Sequence, residues 1–566
     1  MKKLSHLLMC IAMVVMAASC GGDVKYSGLL DQVPANVDMV VAGDVEDVII
    51  SLGGSVDGSK VELPSYLTKE LKGNDLKELN ELTSFLARSG VNISACAAIV
   101  DFQLEQTILL VELDDAQKFQ ALVSELKFVK SNADSDPDQG VAIYKKSEVS
   151  EYYTDIQYLA IKDNYAYVMD NVWSESKAAQ SLNLLKNLMT DAENHSVADT
   201  KFARYMMSDN TAGAMIRIPA QLKAELIKEG CPTEVAEQFS GVICMKGGLS
   251  DDAINMTMKW YGEDGREKDI EPLKAYFDPS AKVNSKALSF MSEEILCVTA
   301  STLKGFNWDK MMNTLEQNAR LSNSERSTMA LVKSYLQKID GTVAYGIGFG
   351  GGVESFAKMD RKESEVLKNM VLTVVCEVVS GKEQGLLNDF RKLLNDQNVP
   401  FESVENGLNV AMPEAMGNVY LKVVDNYIVL SNKPVQEYNN CPVVKNNTLS
   451  KYFYAAAACL PKTHQLMKDL GVKYDVSAVM GVDIQSQELT MKVKFEGEDE
   501  VGVAGKIAKM IIGLIHQEEA IESKYKSAAY DDDFEYSENA DFGEEGDYNE
   551  EWDNEALLTP EEFAEW

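Results

Sequence analysis

"YLAIKDNYAYVMDN", residues 158–171, returns in altered form as "YLKVVDNYIVLSN", residues 420–432. Asp163-Asn164-Tyr165 matches Asp425-Asn426-Tyr427, 262 residues further on. In each copy two apolar runs, rich in β-branched and aromatic residues, flank the Asp-Asn pair. Such runs suit strands, and Asp and Asn tolerate tight turns. The pattern predicts a β-hairpin at each place.

Working outward, four more pairs keep the same order along the chain. "VDMVVAGDVEDVI" (37–49) parallels "EEILCVTASTLKGF" (293–306). "TILLVELDDAQKFQALVSEL" (107–126) parallels "VLTVVCEVVSGKEQGLLNDFRKLL" (371–394), each a strand, a polar break and a helix. "KFARYMMSDNTAGAMIRIPAQLKAEL" (201–226) parallels "KYFYAAAACLPKTHQLMKDL" (451–470), each an apolar strand running to a proline, Pro219 or Pro461. "MTMKWYGED" (256–264) parallels "LTMKVKFEGED" (489–499). Five matches in one order read as an internal duplication. The expected organisation is two homologous α+β units, 26–275 and 283–522, joined by "DPSAKVNSKA" (278–287). Each runs as strand, helices, strand pair, helix, hairpin, helix, strand, helix and long hairpin. Hairpins beside short helices, without regular strand–helix alternation, predict mostly antiparallel sheets with packed helices. Leu76, Leu79, Leu82, Phe85 and Leu86 at helical spacing predict a helix over 74–89, stopped by Gly90.

The two ends of the chain read differently. Lys2 and Lys3, an apolar run Leu7–Met16 and the small residues Ala17, Ala18 and Ser19 form an export signal, 1–19, ahead of Cys20. The run is shorter than the ~20 residues of a membrane span. Cysteine directly after small residues resembles the lipobox of bacterial lipoproteins, which implies lipidation at Cys20 and a short linker, 20–25. Gly21 in place of aspartate favours the outer membrane, and the lack of an acidic cluster after Cys20 favours its periplasmic face. At the other end, 530–566 hold sixteen acidic residues and no Lys or Arg. The segment 527–566 is therefore expected to be a disordered tail. Phe534, Tyr536, Phe542, Tyr548, Trp552, Phe563 and Trp566 punctuate it. Acids for steering and aromatics for anchoring suit recognition of an envelope protein partner, against a plain solubilising role.

Charge narrows the classes. The net charge is −35; without the tail, 54 basic stand against 73 acidic residues, or −19. Nucleic acid is disfavoured as a partner, because it needs basic patches. Cys96, Cys244, Cys297, Cys376 and Cys459 lie in apolar runs and read as buried small hydrophobes. No CxxC spacing occurs, so no zinc or redox motif is indicated.

Motifs for chemistry are sparse. Gly346, Gly348 and Gly351 in "YGIGFGG" spell G-x-G-x-x-G, but no helix pattern follows, and Tyr345, Ile347 and Phe349 alternate as on a strand. "DSDPDQG" (134–140) spaces Asp134, Asp136 and Asp138 as in a calcium loop, yet Lys145 stands where a glutamate is needed. It reads as a hairpin tip. His195, His464 and His516 have no metal or triad spacing. "KIAKMIIGLI" (506–515) reads as a closing helix, with a membrane-facing helix as the alternative. No catalytic, cofactor or metal residue is assigned.

With signal, doubled halves and acidic tail in view, the chain resembles an uncharacterised lipoprotein family of Bacteroidetes-type bacteria. "LLDQVPANVDMVVAGDV" (29–45), "IKDNYAYVMDN" (161–171) and "VVDNYIVLSN" (423–432) carry the resemblance. It is a domain of unknown function and transfers no site. The expectation is a lipid-anchored binding or scaffolding protein without catalytic activity. The alternatives are an envelope hydrolase using Asp/Glu between the halves, or a surface glycan- or nutrient-binding lipoprotein.

Overall fold

The computed structural model describes residues 26–513 apart from 58–59, 71–73, 150–153, 170–171, 173–174, 208–211, 251, 319–321, 351–369, 412–417, 447 and 498–501. Cys20, the tail aromatics Phe534, Tyr536, Phe542, Tyr548, Trp552, Phe563 and Trp566, and also Gly351 and His516, lie outside the described residues.

The first half of the chain supplies β1 (Met39–Asp44), a small separate pair β2 (Ser55–Asp57) and β3 (Lys60–Glu62), β4 (Val91–Asp101), β5 (Gln106–Leu113), β6 (Val129–Lys130), β7 (Val141–Val149), β8 (Thr154–Lys162), β9 (Tyr165–Met169), β10 (Ala212–Arg217), β11 (Val242–Leu249) and β12 (Ala253–Tyr261). The second supplies β13 (Cys297–Thr302), β14 (Ile339–Phe349), β15 (Met370–Val378), β16 (Phe401–Val404), β17 (Gly407–Ala411), β18 (Asn418–Val424), β19 (Tyr427–Ser431), β20 (Tyr454–Leu460), β21 (Asp475–Asp483) and β22 (Glu488–Glu496). Helices pack around them, so the class is α+β, and every pairing in the main sheet is antiparallel.

Among the described residues twenty strands form that sheet. From one edge the first ten run β6-β7-β8-β9-β5-β4-β1-β10-β11-β12. The next ten continue as β22-β21-β20-β13-β14-β15-β19-β18-β17-β16, the same pattern in reverse. β12 against β22 joins the two runs, with Thr257 opposite Thr490 and Met256 opposite Met491.

The two Asp-Asn hairpins are as predicted. β8 turns into β9 at Asp163, and β18 into β19 at Asp425, each with φ 51°. An aspartate tolerates this left-handed geometry better than most residues. In each turn the asparagine carbonyl accepts from a neighbouring strand: Leu113 N at 2.6 Å for Asn164, Val378 N at 2.9 Å for Asn426.

Side chains alternate across each strand, so the sheet has two faces. On one face the helix Glu175–Asn194 buries Leu185, Leu188 and Met189 against Ile99, Leu110 and Tyr167. The second half does the same with Leu288, Phe290 and Met291 over Val298, Ala344 and Val375. On the other face Phe119 and Val123, from the helix Ala116–Glu125, cover β5 and β9. Leu386 and Leu387, from Glu383–Asp396, cover β15 and β19. A fifth cluster spans the join, with Val48, Leu249 and Ile254 against Met467, Tyr474, Phe495, Val503 and Ala504. The last two begin a helix, 503–513, whose Ile507 and Met510 pack on this cluster. The helix Asn74–Ser89 forms as its spacing predicts and ends at Gly90, φ 69°. No helix among the described residues is long and apolar enough to cross a membrane.

One reading needs correction. Cys244 and Cys459 are buried, but Cys96 and Cys376 are only half-buried and Cys297 is exposed. The apolar run around Cys297 is real, yet alternation turns that residue away from the core that buries Val298. Among the described residues no disulfide is formed.

The glycines of "YGIGFGG" have a packing role. Gly346 and Gly348 sit on the buried side of β14 while Tyr345 is exposed. A Cβ on Gly348 would stand 2.0 Å from the Glu294 carbonyl oxygen. We expect Gly348→Ala to cost about 1–3 kcal/mol. Gly385, inside the helix Glu383–Asp396, has no atom within 4 Å of such a Cβ. Gly385→Ala should stabilise by about 0.4–1 kcal/mol. Urea denaturation midpoints of the two variants should move in opposite directions.

Candidate functional site

Two open polar clefts lie side by side in the first half, on either side of the turn after β12. That turn, Gly262 to Gly265, forms because Asp264 Oδ1 accepts from Arg266 N at 3.0 Å and Gly265 adopts φ 71°. Glu263 and Asp264 line both clefts.

The first cleft, about 640 Å³, brings together His195, Asp199, Lys201 and Arg217. Arg217, at the end of β10, pairs with Glu263 and donates to the Ala35 carbonyl at 2.6 Å. Asp199 accepts from Ser196 N at 3.0 Å and Ser196 Oγ at 3.1 Å; the backbone bond chiefly holds its carboxyl below the usual range. His195 Nδ1 stands 3.8 Å from Asp199, too long for a hydrogen bond.

The second cleft, about 1070 Å³, is lined by Lys223, Glu234, Glu237, Ser240 and Lys268 among others. Lys223 pairs with Glu237 and is the main reason that carboxyl sits below its ordinary range. Glu234 accepts from Tyr276 Oη at 2.9 Å and is lowered, first by its own backbone N–H and then by Tyr276. Lys268 Nζ donates to Ser240 Oγ at 3.0 Å and to the Glu237 carbonyl, and burial lowers its pKa.

A serine beside a desolvated lysine invites comparison with a Ser–Lys nucleophile pair. Its hydrogen bonds say otherwise. Ser240 Oγ donates to the Glu237 carbonyl at 2.8 Å, the same oxygen that Lys268 reaches. Both groups satisfy the open carbonyl end of the short helix Glu237–Phe239. The carboxylates and cations of the clefts are largely occupied with one another or with the backbone.

Sequence reading singled out His195 without a local partner and missed Arg217, Lys223, Glu237 and Lys268. Nothing in their local sequence marks them, since they meet only through the fold. Asp134 in "DSDPDQG" accepts from Lys186 Nζ at 2.8 Å and Ser131 Oγ at 2.7 Å, so it works in a hairpin tip. His464 caps the helix Gln465–Asp469: its Nδ1 accepts from Leu466 N at 3.3 Å, which leaves Nε2 to donate to the Phe349 carbonyl at 2.8 Å. Among the described residues no group of His, Cys, Asp and Glu could hold a metal ion.

No protein-family model matches this chain, and no curated protein matches it. Three crystal forms of TP0453 are similar among solved structures. Form IV is 13% identical, covers 41% of this chain and 79% of its own, and has a TM-score of 0.22. Form III is 11% identical over 44% and 83%, at 0.21; form I is 12% identical over 44% and 82%, at 0.20. Scores this low carry no argument about function.

The Lys223–Glu237 pair gives a pH test. Glu237 has a native pKa below its free value of 4.5. Its contribution is present above that value and is lost as pH falls through the native one. Glu237→Gln should lower the urea midpoint at pH 7 by the equivalent of about 0.5 kcal/mol, as for a partly exposed pair. At pH 2 the variant and the parent should coincide.

Proposed function

We propose that this is a lipid-anchored cell-envelope protein that binds or scaffolds a protein partner and carries out no catalysis. It would belong to the Bacteroidetes-type lipoprotein family of unknown function that its sequence resembles. Lipid on Cys20 would hold it to the outer membrane, on the periplasmic face. The two halves would be homologous tandem units, and the segment 527–566 a disordered recognition tail.

The join between the halves carries this reading. Seven residue pairs link β12 to β22, and the apolar cluster of Ile254, Met467 and Phe495 packs beside them. A seam of this kind favours a fixed frame over two jaws that open and close on a substrate. The duplication supports tandem units through the matched hairpins and through Thr257 opposite Thr490, which are equivalent positions in the two repeats. The tail supports recognition through Phe534, Tyr536, Phe542, Tyr548, Trp552, Phe563 and Trp566 set among acids. An Asp/Glu hydrolase draws less support, because Glu234, Glu237, Glu263 and Asp199 already hold partners.

Two outcomes are expected in cells. Cys20→Ala should move the protein from the membrane to the soluble fraction. Cross-linking in intact cells should capture an envelope protein with the full chain and lose it at least tenfold after truncation at Ser527. Equal capture by both chains would end the tail-recognition reading.

A further inference from the structure

At the join, the sheet face that lies between the two main cores carries lysines. Cys244, opposite Lys259, belongs to the first core, and Val479, opposite Lys492, packs against the second. Side chains alternate, so Lys246, Asn255, Thr257, Lys259, Thr490 and Lys492 share this face. The matched stretches "MTMK" (256–259) and "LTMK" (489–492) equate Lys259 with Lys492, and the residues just before them, Asn255 and Glu488, also correspond. The register crosses these positions: Lys259 faces Glu488, and Lys492 faces Asn255. Lys259 therefore has carboxylates at hand, with Nζ 3.8 Å from Glu488 and 2.6 Å from Glu267. Lys492 meets an uncharged amide in the equivalent place. Among the described residues it makes no ion pair and no hydrogen bond. The neighbouring lysines are engaged: Lys246 Nζ lies 5.0 Å from the centre of the Tyr205 ring, and Lys494 Nζ lies 3.5 Å from Glu496. Lys492 is half-buried, and Asn255 opposite it is exposed, so solvent reaches this part of the face. An ammonium partly withdrawn from water with no counterion is unfavourable. In a chain with 54 basic and 89 acidic residues, that isolation is the informative departure.

We propose that Lys492 and its polar neighbours bind a small polyhydroxy carboxylate, such as an acidic sugar, with the carboxylate on the Lys492 ammonium. Charge selects the occupant. One unmatched positive charge suits one negative charge. A phosphate monoester carries more than one at neutral pH and would leave an excess in a chain that is already acidic. A polyanion, whether nucleic acid or an acidic protein, is repelled by the net −35. The other groups at hand are neutral donors and acceptors. Asn255 stands directly opposite Lys492, and Thr257 and Ser477 are its diagonal neighbours, roughly 7–8 Å away, a span that one or two sugar rings cover. Among the described residues none of these three side chains makes a hydrogen bond, so their amide and hydroxyls are open to a ligand's hydroxyls. Two tyrosines flank the strip. Tyr205 stands beside Lys246 of β11, and Tyr452 covers Gly481 of β21 while its Oη accepts from Thr490 Oγ1 at 3.0 Å. Both backbone edges of β12 and β22 are already paired, so a peptide cannot add there as a strand. The inference depends on neither the anchor nor the tail.

The test is lysine footprinting of the full chain. Acetylation by an N-hydroxysuccinimide ester is mapped by mass spectrometry with and without D-glucuronate. Glucuronate is expected to slow labelling of Lys492 at least fivefold and to leave the exposed Lys422 within twofold. Glucose, which lacks the carboxylate, and acetate, which lacks the hydroxyls, should each change Lys492 labelling less than twofold at the same concentration. Asn255→Glu supplies the acid that Lys259 already has in Glu488, so Lys492 is then paired within the chain. This variant should weaken glucuronate binding at least tenfold in calorimetry, and Asn255→Ser should weaken it less. The parent footprint decides the matter even if the glutamate variant does not fold. Lys492 unprotected by glucuronate, or protected equally by glucose or acetate, would overturn the proposal. So would tighter binding of inorganic phosphate than of glucuronate, or undiminished glucuronate binding in a folded Asn255→Glu variant. A Lys492 that is already unreactive in the free chain would overturn it as well, because its ammonium would then have a partner within the protein.

Discussion

The pairing of β12 with β22 is the contact on which the rest of the arrangement turns. Without it, each half would end in an edge strand with a row of open N–H and C=O groups, a template for aggregation. With it, those groups are satisfied and, among the described residues, twenty strands form one sheet. Thr257 faces Thr490, so the strands meet near the centre of an approximate two-fold relation. A local two-fold lets the same kind of surface serve on both sides of the join, as in an isologous dimer interface. Here both sides belong to one chain, so no association equilibrium is involved.

That join also distributes the burial. Each half buries one side of its strands under its own helices, in separate clusters around Tyr167 and Phe290. The cluster around Met467 and Phe495 is different, because it draws side chains from both halves and from the 503–513 helix. Alternation then leaves the rest of that face apolar and half-exposed. The polar clefts lie beside the 262–265 turn, and their charged groups mainly brace local structure. Arg217 ties the turn to Ala35, and Lys268 closes a helix end.

Sequence by itself determined a good deal of this architecture. Period and turn chemistry are local, so the Asp163 and Asp425 hairpins, the 74–89 helix and the α+β class could be read from neighbours in the chain. The strand alternation of Tyr345, Ile347 and Phe349 also told against a phosphate loop, and Gly348 proves to be where Glu294 crosses. What only the tertiary structure decided was non-local. Cys297 sits in an apolar run, but whether its side of the sheet is covered depends on helices distant in sequence. Lys223 meets Glu237, and Tyr276 meets Glu234, only because separate segments converge. The side of β12 that carries Met256 and Met258 is fixed by alternation. Its partner β22 follows from long-range packing that no short window of residues encodes.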